Sequence, residues 1–205
     1  MKVSLVWVTP DAEEKVAYMA RVSNPSNQDN KETAPKLLRY LMRNKHWSPF
    51  EMVNVCMEIE CTRDIARQII RHRSFSFQEF SQRYAEALDV EYNEVRLQDE
   101  KNRQNSIETD DYVLSTDWLH AQMRVAHNSR KEYDNAIKRG IAKEVARKLL
   151  PEGLTMSRMY MNGTLRSWMH YVDIRCDEAT QKEHRVVADK CKAILTEQFP
   201  SIYGG

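Results

Sequence analysis

The chain has 205 residues, 41% hydrophobic and 30% charged, with a formal net charge of +1, which is typical of a soluble globular domain. The near-neutral charge argues against a broad nucleic-acid surface, which needs a basic excess, and no apolar run approaches the roughly 20 residues of a membrane span. Four cysteines without CxxC spacing argue against a disulfide framework or a zinc site, so we expect no metal and a cytoplasmic location. Only five glycines occur, and they form neither a GxGxxG motif nor a phosphate loop.

The first half of the chain mixes strand and helix patterns. In order, it predicts a strand at 2–9, a helix from about Asp11 to Val22, a helix capped by Thr33, a loop at 46–51, a strand at 53–61 and a helix from Thr62 to about Arg73. Strict alternation at 53–61 indicates a strand with one buried face. Residues 74–84 predict an extended segment in which Phe75, Phe77 and Tyr84 pack, whereas Ser74, Ser76, Gln78 and Glu79 face a ligand.

The second half is more helical. Residues 88–113 are polar and weakly periodic and predict a loop or insertion. Further elements are predicted as a helix from Asp117 to about Arg139 with the apolar stripe Leu119, Met123, Ala126, Tyr133 and Ile137, a helix at 141–150, a strand at 155–162, a helix at 163–174 and a last helix from Asp177 to Pro200. Because strands and helices alternate irregularly without a βαβ signature, we expect one α+β domain covering 1–205.

The strongest chemical signal is the run Arg71-His72-Arg73, followed later by Ser81. Burying a guanidinium group without a partner costs free energy. Its planar donors fit a phosphate in two-point contact. Only Asp64 and Glu79 are nearby acids, so this segment predicts an anion-binding site. The alternative is a solvated helix end.

Two shorter segments are weaker signals. The loop His46–Glu51 carries a histidine, a hydroxyl and a carboxylate, which suit a flavin or sugar contact, although a structural histidine beside Trp47 is the more common case. Glu144 and Arg147 have the spacing of a surface ion pair, and the residues alone favour that interpretation.

The segment 163–176 predicts a helix that aims Arg166 and His170 from one face, with Arg175 where the helix ends. Two cations and a histidine suggest an acidic ligand. A helix favourably capped by Arg175 explains the segment equally well.

These segments, in this order, resemble the flavin-dependent thymidylate synthases. The family's RHRx7S signature is intact as Arg71-His72-Arg73 and Ser81. The resemblance extends over about residues 46–176 through His46-x-Ser48-x-Phe50-Glu51, Gln68, Glu79, Arg83, Tyr84, Glu144-x-x-Arg147 and Arg166-Ser-Trp-x-His170 with Arg175.

The resemblance implies methylation of dUMP to dTMP, with methylenetetrahydrofolate as carbon donor and FAD, reduced by NADPH, as hydride carrier. It implies a homotetramer whose active sites are shared between subunits. It also implies the family's own α+β fold, with a mixed sheet, packed helices and no Rossmann domain, which agrees with the missing glycine motif.

The resemblance further implies roles for individual residues. Arg175 is the expected catalytic residue, stabilising charge that develops on the uracil. The expected dUMP-binding residues are Gln68, Arg71, Glu79, Ser81, Gln82, Arg83 and Arg147. The expected FAD-binding residues are His46, Ser48, Glu51, Arg71, His72, Arg73, Ser74, Glu79, Arg166 and His170.

Two other functions are open to the residues. A module for RNA or single-stranded DNA would use Arg71, Arg73 and Arg83 on phosphates, with Phe75, Phe77 or Phe80 for stacking. A non-catalytic scaffold would use the arginines at interfaces. Ser81 as a nucleophile is not favoured, because no histidine and acid accompany it as a triad.

Overall fold

The computed structural model describes residues 1–85 and 89–204. The strands in these ranges are β1 (Lys2–Val8), β2 (Asn54–Thr62), β3 (Phe75–Glu79), β4 (Arg96–Gln98), β5 (Ser106–Glu108) and β6 (Met156–Thr164). The α-helices are α1 (Ala12–Ala20), α2 (Ala34–Arg43), α3 (Arg63–Ile69), α4 (Tyr112–Lys138), α5 (Lys143–Ala146), α6 (Leu165–Arg175), α7 (Lys182–Gln198) and α8 (Pro200–Tyr203). Short 3₁₀ turns occupy Pro25–Asn27, Ser48–Met52 and Arg147–Leu149.

The main sheet has the strand order β1-β2-β6-β3, and each neighbouring pair is antiparallel. The α+β class is therefore confirmed, and the described strands contain no Rossmann-like parallel sheet. The expected mixed sheet is corrected to an antiparallel one. β4 and β5 form a separate hairpin.

The two central strands follow the expected alternation. In β2, Val55, Met57 and Ile59 are fully buried, and in β6 the buried side chains include Met159 and Met161. The register pairs Met57 with Met161, so both strands place apolar side chains on the same face. A side-chain period of two explains how the sequence alone revealed this face.

Helix α6 packs on the sheet through a fully buried tryptophan. The Trp168 indole N–H donates to the carbonyl oxygen of Val55 on β2 at 3.0 Å. At the start of α6, the Thr164 hydroxyl accepts from the backbone N–H of Ser167 at 3.2 Å, which satisfies one of the free donors of the first turn. The sheet and this cap together determine where the polar side chains of α6 lie.

Several predicted boundaries are wrong. Helix α3 ends at Ile69, so Arg71–Arg73 lie in the turn that follows, and the predicted loop 88–113 contains the β4–β5 hairpin. The reason is tertiary, since Arg96 of this hairpin pairs with Glu183 of α7. Three other boundaries also differ: α4 begins at Tyr112 with Asp111 as its cap, 141–150 divides into α5 and a 3₁₀ turn, and the last long helix begins at Lys182.

Helix α4 differs from expectation in its packing. Ala126 and Tyr133 are buried, but Leu119 and Met123 of the same predicted stripe are 41% and 46% exposed. The first half of α4 therefore presents an apolar face that the protomer does not cover. In the described ranges no helix combines the length and apolarity that crossing a membrane demands. The single-domain organisation stays a prediction.

Candidate active site

The centre of the site is a contact between the Arg-His-Arg run and the end of α6. The Arg175 guanidinium donates from Nε to Nε2 of His72 at 2.9 Å. The edge of the His72 ring meets Tyr171, with ring centroids 4.9 Å apart. His72 and Arg175, 103 positions apart in the sequence, are thus brought together.

The surroundings of His72 keep its ring neutral. Burial, followed by the nearby charges of Arg175 and His170, lowers the pKa of His72 to about 4. A neutral ring that accepts at Nε2 carries its proton on Nδ1. Among the described residues, the two terminal nitrogens of Arg175 have no hydrogen-bond partner, so their four N–H groups are available to a ligand.

Beneath this pair lies a histidine that the sequence reasoning missed. His184 is fully buried on α7, where its Nε2 lies 3.1 Å from the Tyr171 hydroxyl and its Nδ1 lies 3.2 Å from Oε1 of Gln68. Burial, followed by Arg175 and His72, lowers the pKa of His184 to about 4. The available signal was its position on the apolar stripe of α7 with Val187 and Cys191, because a buried polar side chain on such a stripe needs a partner.

A second polar group joins the turn before β2 to the start of α6. Glu51 accepts from the Thr164 hydroxyl at 2.6 Å and lies 3.4 Å from NH1 of Arg166. The Ser167 hydroxyl donates to the backbone carbonyl of Ser74 at 3.3 Å. Three of the expected FAD-binding residues, Glu51, Ser74 and Arg166, are therefore brought together through the α6 cap.

An open cavity of about 510 Å³ lies beside α6. Its lining includes Lys45, Arg166 and His170 beside the flat or flexible apolar side chains of Trp47 and Met169. Cationic groups beside apolar walls suit a ligand that has both a diphosphate and aromatic rings, as FAD does. The residues present therefore fit the implied cofactor.

The same cavity is lined by Tyr203, whose buried hydroxyl has no hydrogen-bond partner among the described residues. A buried, unpartnered hydroxyl costs free energy unless a ligand or water satisfies it. His46 and Ser48 lie in the turn before β2 and are exposed, and they are not among the lining residues.

Glu79 has a different position from the one expected. On β3 it shares the face of Phe75 and Phe77, where it accepts from the Ser157 hydroxyl at 2.8 Å and lies 3.5 Å from NH1 of buried Arg63. Its expected orientation toward a ligand with Ser74, Ser76 and Gln78 is corrected, because alternate residues of a strand point to opposite faces. Tyr84, expected to pack, is 78% exposed.

The segment after β3 forms a separate group. The Ser81 hydroxyl accepts from the backbone N–H of Arg83 at 3.3 Å, and Nε of Arg83 lies 3.6 Å from Glu144. Glu144 therefore pairs with Arg83, and the predicted pair with half-buried Arg147 does not occur among the described residues. Gln82 is buried, and its Nε2 has no partner within the described ranges.

Arg71 and Arg73 are exposed in the turn after α3. Within residues 1–85 and 89–204, neither forms an ion pair, and no hydrogen bond joins Arg83 or Arg147 to the His72–Arg175 pair. The protomer thus assembles part of the expected site and leaves its remaining arginines apart.

Other chemistries find little support in the described residues. Burial raises the pKa of Cys61 to about 12 and, together with Asp189, that of Cys176 to about 11, so neither thiol is a nucleophile near neutral pH. Phe75 is buried against Trp168 and cannot stack on a nucleic-acid base. In the part of the chain described, no group of three His, Cys, Asp or Glu side chains could hold a metal ion.

Comparisons with known proteins give matches over most of the chain. The model of the family described as thymidylate synthase complementing protein matches residues 4–201. A flavin-dependent thymidylate synthase of Synechocystis sp. is 52% identical over 189 residues, which cover 91% of this chain and 86% of that protein. A probable flavin-dependent thymidylate synthase of Paramecium bursaria Chlorella virus 1 is 48% identical over 192 residues, covering 93% and 88%.

A solved structure has the same fold. The UMP/dUMP methylase PolB from Streptomyces cacaoi, bound with 5-Br dUMP, matches with a TM-score of 0.81 and 26% identity over 99% of this chain and 93% of that one. The family match spans residues 4–201, and the two relatives are 48% and 52% identical over most of both chains. This chain therefore belongs to the flavin-dependent thymidylate synthases.

Proposed function

We propose that the protein methylates C5 of dUMP to give dTMP, with methylenetetrahydrofolate as carbon donor and FAD, reduced by NADPH, as hydride carrier. The methylene carbon must gain one hydride to become a methyl group, and C5 must lose its proton while tetrahydrofolate leaves. FAD, when bound, supplies that hydride.

The observation that carries the proposal is the Arg175–His72 contact. A neutral His72 accepts from Nε and leaves the terminal nitrogens of Arg175 for the O4 edge of the uracil, where negative charge develops as C5 becomes nucleophilic. A guanidinium already held in place needs no reorganisation when that charge appears. The absence of a low-pKa thiol among Cys61, Cys176 and buried Cys191 supports a route without a cysteine nucleophile.

The nucleotide phosphate is assigned to Gln68, Arg71, Ser81, Arg83 and Arg147. The arginines are the main attraction, since hydrogen bonds from a guanidinium to a phosphate are charge-assisted. Among the described residues, Arg71 contacts no carboxylate, and Arg83 has a long contact to Glu144. Both side chains can therefore bind a phosphate dianion without breaking a strong ion pair. Gln82 would shape this site from a buried position and Glu79 from a half-buried one.

FAD is assigned to the cavity beside α6 and the turn that leads to it. Arg166 and His170 would bind its diphosphate, and Glu51 orients Arg166. His46, Ser48, Arg73 and Ser74 complete the set on exposed or half-exposed positions, and His72 would border the isoalloxazine. A pocket of this size and mixed polarity is ordinary for a cofactor site.

We further propose a homotetramer with shared active sites in a cytoplasmic, reducing compartment. The exposed apolar face of α4, including Leu119 and Met123, is the surface that a second subunit would cover. A second subunit could also bring its Arg83 or Arg147 toward the first subunit's Arg175. The four cysteines are free, which agrees with a reducing compartment. Light scattering should give about four times the 24.2 kDa chain mass, and a monomer would contradict the assembly.

The decisive experiment is product formation by the purified, FAD-loaded protein. dTMP should form when dUMP, methylenetetrahydrofolate and NADPH are all present and should fail to form when any one is withheld. UMP in place of dUMP measures sugar specificity in the same assay. Absence of dTMP in the complete mixture, or dTMP formation by flavin-free protein, would overturn the proposal.

A further inference from the structure

A chain of side-chain hydrogen bonds extends from the β4–β5 hairpin to the proposed nucleotide site. Arg96 on β4 pairs with Oε1 of Glu183, whose Oε2 accepts from Nε2 of Gln181 at 2.9 Å. Oε1 of Gln181 accepts from Nε2 of Gln68 at 2.7 Å. The chain then reaches His184, because Oε1 of Gln68 lies 3.2 Å from its Nδ1.

In the hydrogen bond between Gln181 and Glu183, donor and acceptor can be assigned. Burial by itself disfavours a charged Glu183, but hydrogen bonds, above all from Arg96, hold the pKa of this carboxyl below its ordinary value. An ionised carboxylate can only accept hydrogen bonds. Gln181 must therefore turn its NH₂ group toward Glu183 and its oxygen toward Gln68.

The orientation of the Gln181 amide determines the orientation of the Gln68 amide in the same way. Since the Gln181 oxygen accepts, Gln68 must present its NH₂ to Gln181 and its own oxygen to His184. His184 must then carry its proton on Nδ1 and accept at Nε2 from the Tyr171 hydroxyl, which lies at 3.1 Å. His184 is fully buried, so water cannot substitute for a wrongly oriented partner.

The orientation of the Gln68 amide decides whether it can donate a hydrogen bond to an anion. Gln181 is the single hydrogen-bond partner of the Gln68 NH₂ within the described ranges, which leaves its second N–H for a ligand. The Gln68 backbone carbonyl also accepts from the backbone N–H of Arg71 at 3.3 Å, so an exposed arginine follows Gln68 in the same turn of the chain. A reversed amide would present an oxygen here and repel a phosphate.

We propose that Glu183 and His184 are positioning residues that orient the Gln68 amide from both sides, so that it donates an N–H to the phosphate of the bound nucleotide. The proposal rests on the assignment of Gln68 to dUMP under the proposed function. Neither residue touches substrate or cofactor, and each acts through Gln68.

The test compares two substitutions of similar size in the FAD-loaded enzyme. The side-chain amide of His184→Asn can replace the Nδ1 donor, whereas His184→Leu cannot donate. We expect His184→Leu to raise KM for dUMP about tenfold or more, comparable to the loss of one hydrogen bond to a charged phosphate, with kcat and flavin content within about twofold of the parent. His184→Asn should restore most of the affinity.

A double-mutant cycle separates positioning from a general structural effect. Gln68→Ala should raise KM for dUMP, and adding His184→Leu to Gln68→Ala should raise it no further. A full additional increase, or an unchanged KM in His184→Leu alone, would overturn the positioning role. An unchanged KM in Gln68→Ala would remove Gln68 from the phosphate site, and with it the proposal, even though the wild-type enzyme still made dTMP.

A measurement on the wild-type enzyme covers the case in which His184→Leu does not fold. The side-chain ¹⁵N spectrum of FAD-loaded enzyme, with His184→Asn used to assign the His184 signals, should show the Nδ1–H tautomer at neutral pH. An Nε2–H tautomer would place the proton toward Tyr171. It would contradict the donor and acceptor roles assigned to His184, Gln68 and Gln181.

Discussion

The Arg175 guanidinium holds Nε2 of His72 at 2.9 Å, so the residue expected to act on the uracil and a residue expected to bind flavin form one unit. The two roles are physically coupled, because a charge on His72 would repel Arg175 and remove its acceptor. Burial and the charge of Arg175 prevent that protonation near neutral pH.

Substitution of Arg175 tests the catalytic assignment. Arg175→Ala should lower kcat for dTMP formation by about 10²- to 10³-fold or more, as loss of a fixed electrostatic donor does, while the circular dichroism spectrum stays that of the parent. Arg175→Lys keeps the charge but loses the planar donors and should remain severely impaired. Parental turnover in Arg175→Ala would exclude this residue from the mechanism.

Substitution of His72 tests the flavin assignment. His72→Ala removes the ring between Arg175 and Tyr171, and we expect less FAD to remain bound through purification. The measurement is visible flavin absorbance relative to protein absorbance, with exposed Arg39→Ala as the control. A variant that retains flavin as fully as the parent would contradict a role of His72 in binding it.

Loss of Arg83 should weaken dUMP binding without impairing the chemical step. A hydrogen bond to a charged group contributes about 1.5–3 kcal/mol, so Arg83→Ala should raise KM for dUMP by about tenfold or more at nearly constant kcat. Its contact with Glu144, at 3.6 Å between half-exposed side chains, contributes little to stability. An unchanged KM would count against a phosphate role.

The close approach of β3 and β6 predicts a stability effect at Gly163. A Cβ at this position would lie 2.4 Å from Cδ1 of Phe75, whose ring is packed against Trp168 at a centroid distance of 4.9 Å. Gly163→Ala should therefore destabilise the protein by about 1–3 kcal/mol, or about 2–4 °C in Tm for each kcal/mol. Gly153→Ala, which meets no atom within 4 Å, is the matched control, and equal Tm values for the two variants would refute the packing argument.

The buried histidines predict a loss of stability in acid. The folded-state pKa values of His72 and His184 are about 4, below the ordinary value of about 6.5 in the unfolded chain. Their contribution is therefore complete above about pH 6.5 and is lost as the pH falls toward 4, because the unfolded chain binds more protons in that window. Between about pH 7 and 5, Tm should fall less for His184→Asn than for the parent, and identical profiles would contradict the shift at His184.

The sequence by itself determined the family, and it predicted a set of site residues. The RHRx7S signature and the segments around it identified the chemistry, and the periodicity of β2 and α6 identified their buried faces. These properties are local, since periodicity of two or 3.6 residues shows which face of an element is apolar.

Only the tertiary structure decided which distant groups meet. Glu79 faces Arg63 rather than a ligand, Arg83 rather than Arg147 pairs with Glu144, and His184 lies beneath Gln68. A hydrogen bond depends on donor and acceptor positions within a few tenths of an ångström, and those positions follow from the packing of helices and strands far apart in the chain. For this reason candidate residues could be proposed from the sequence, whereas their hydrogen-bond and ion-pair partners could not.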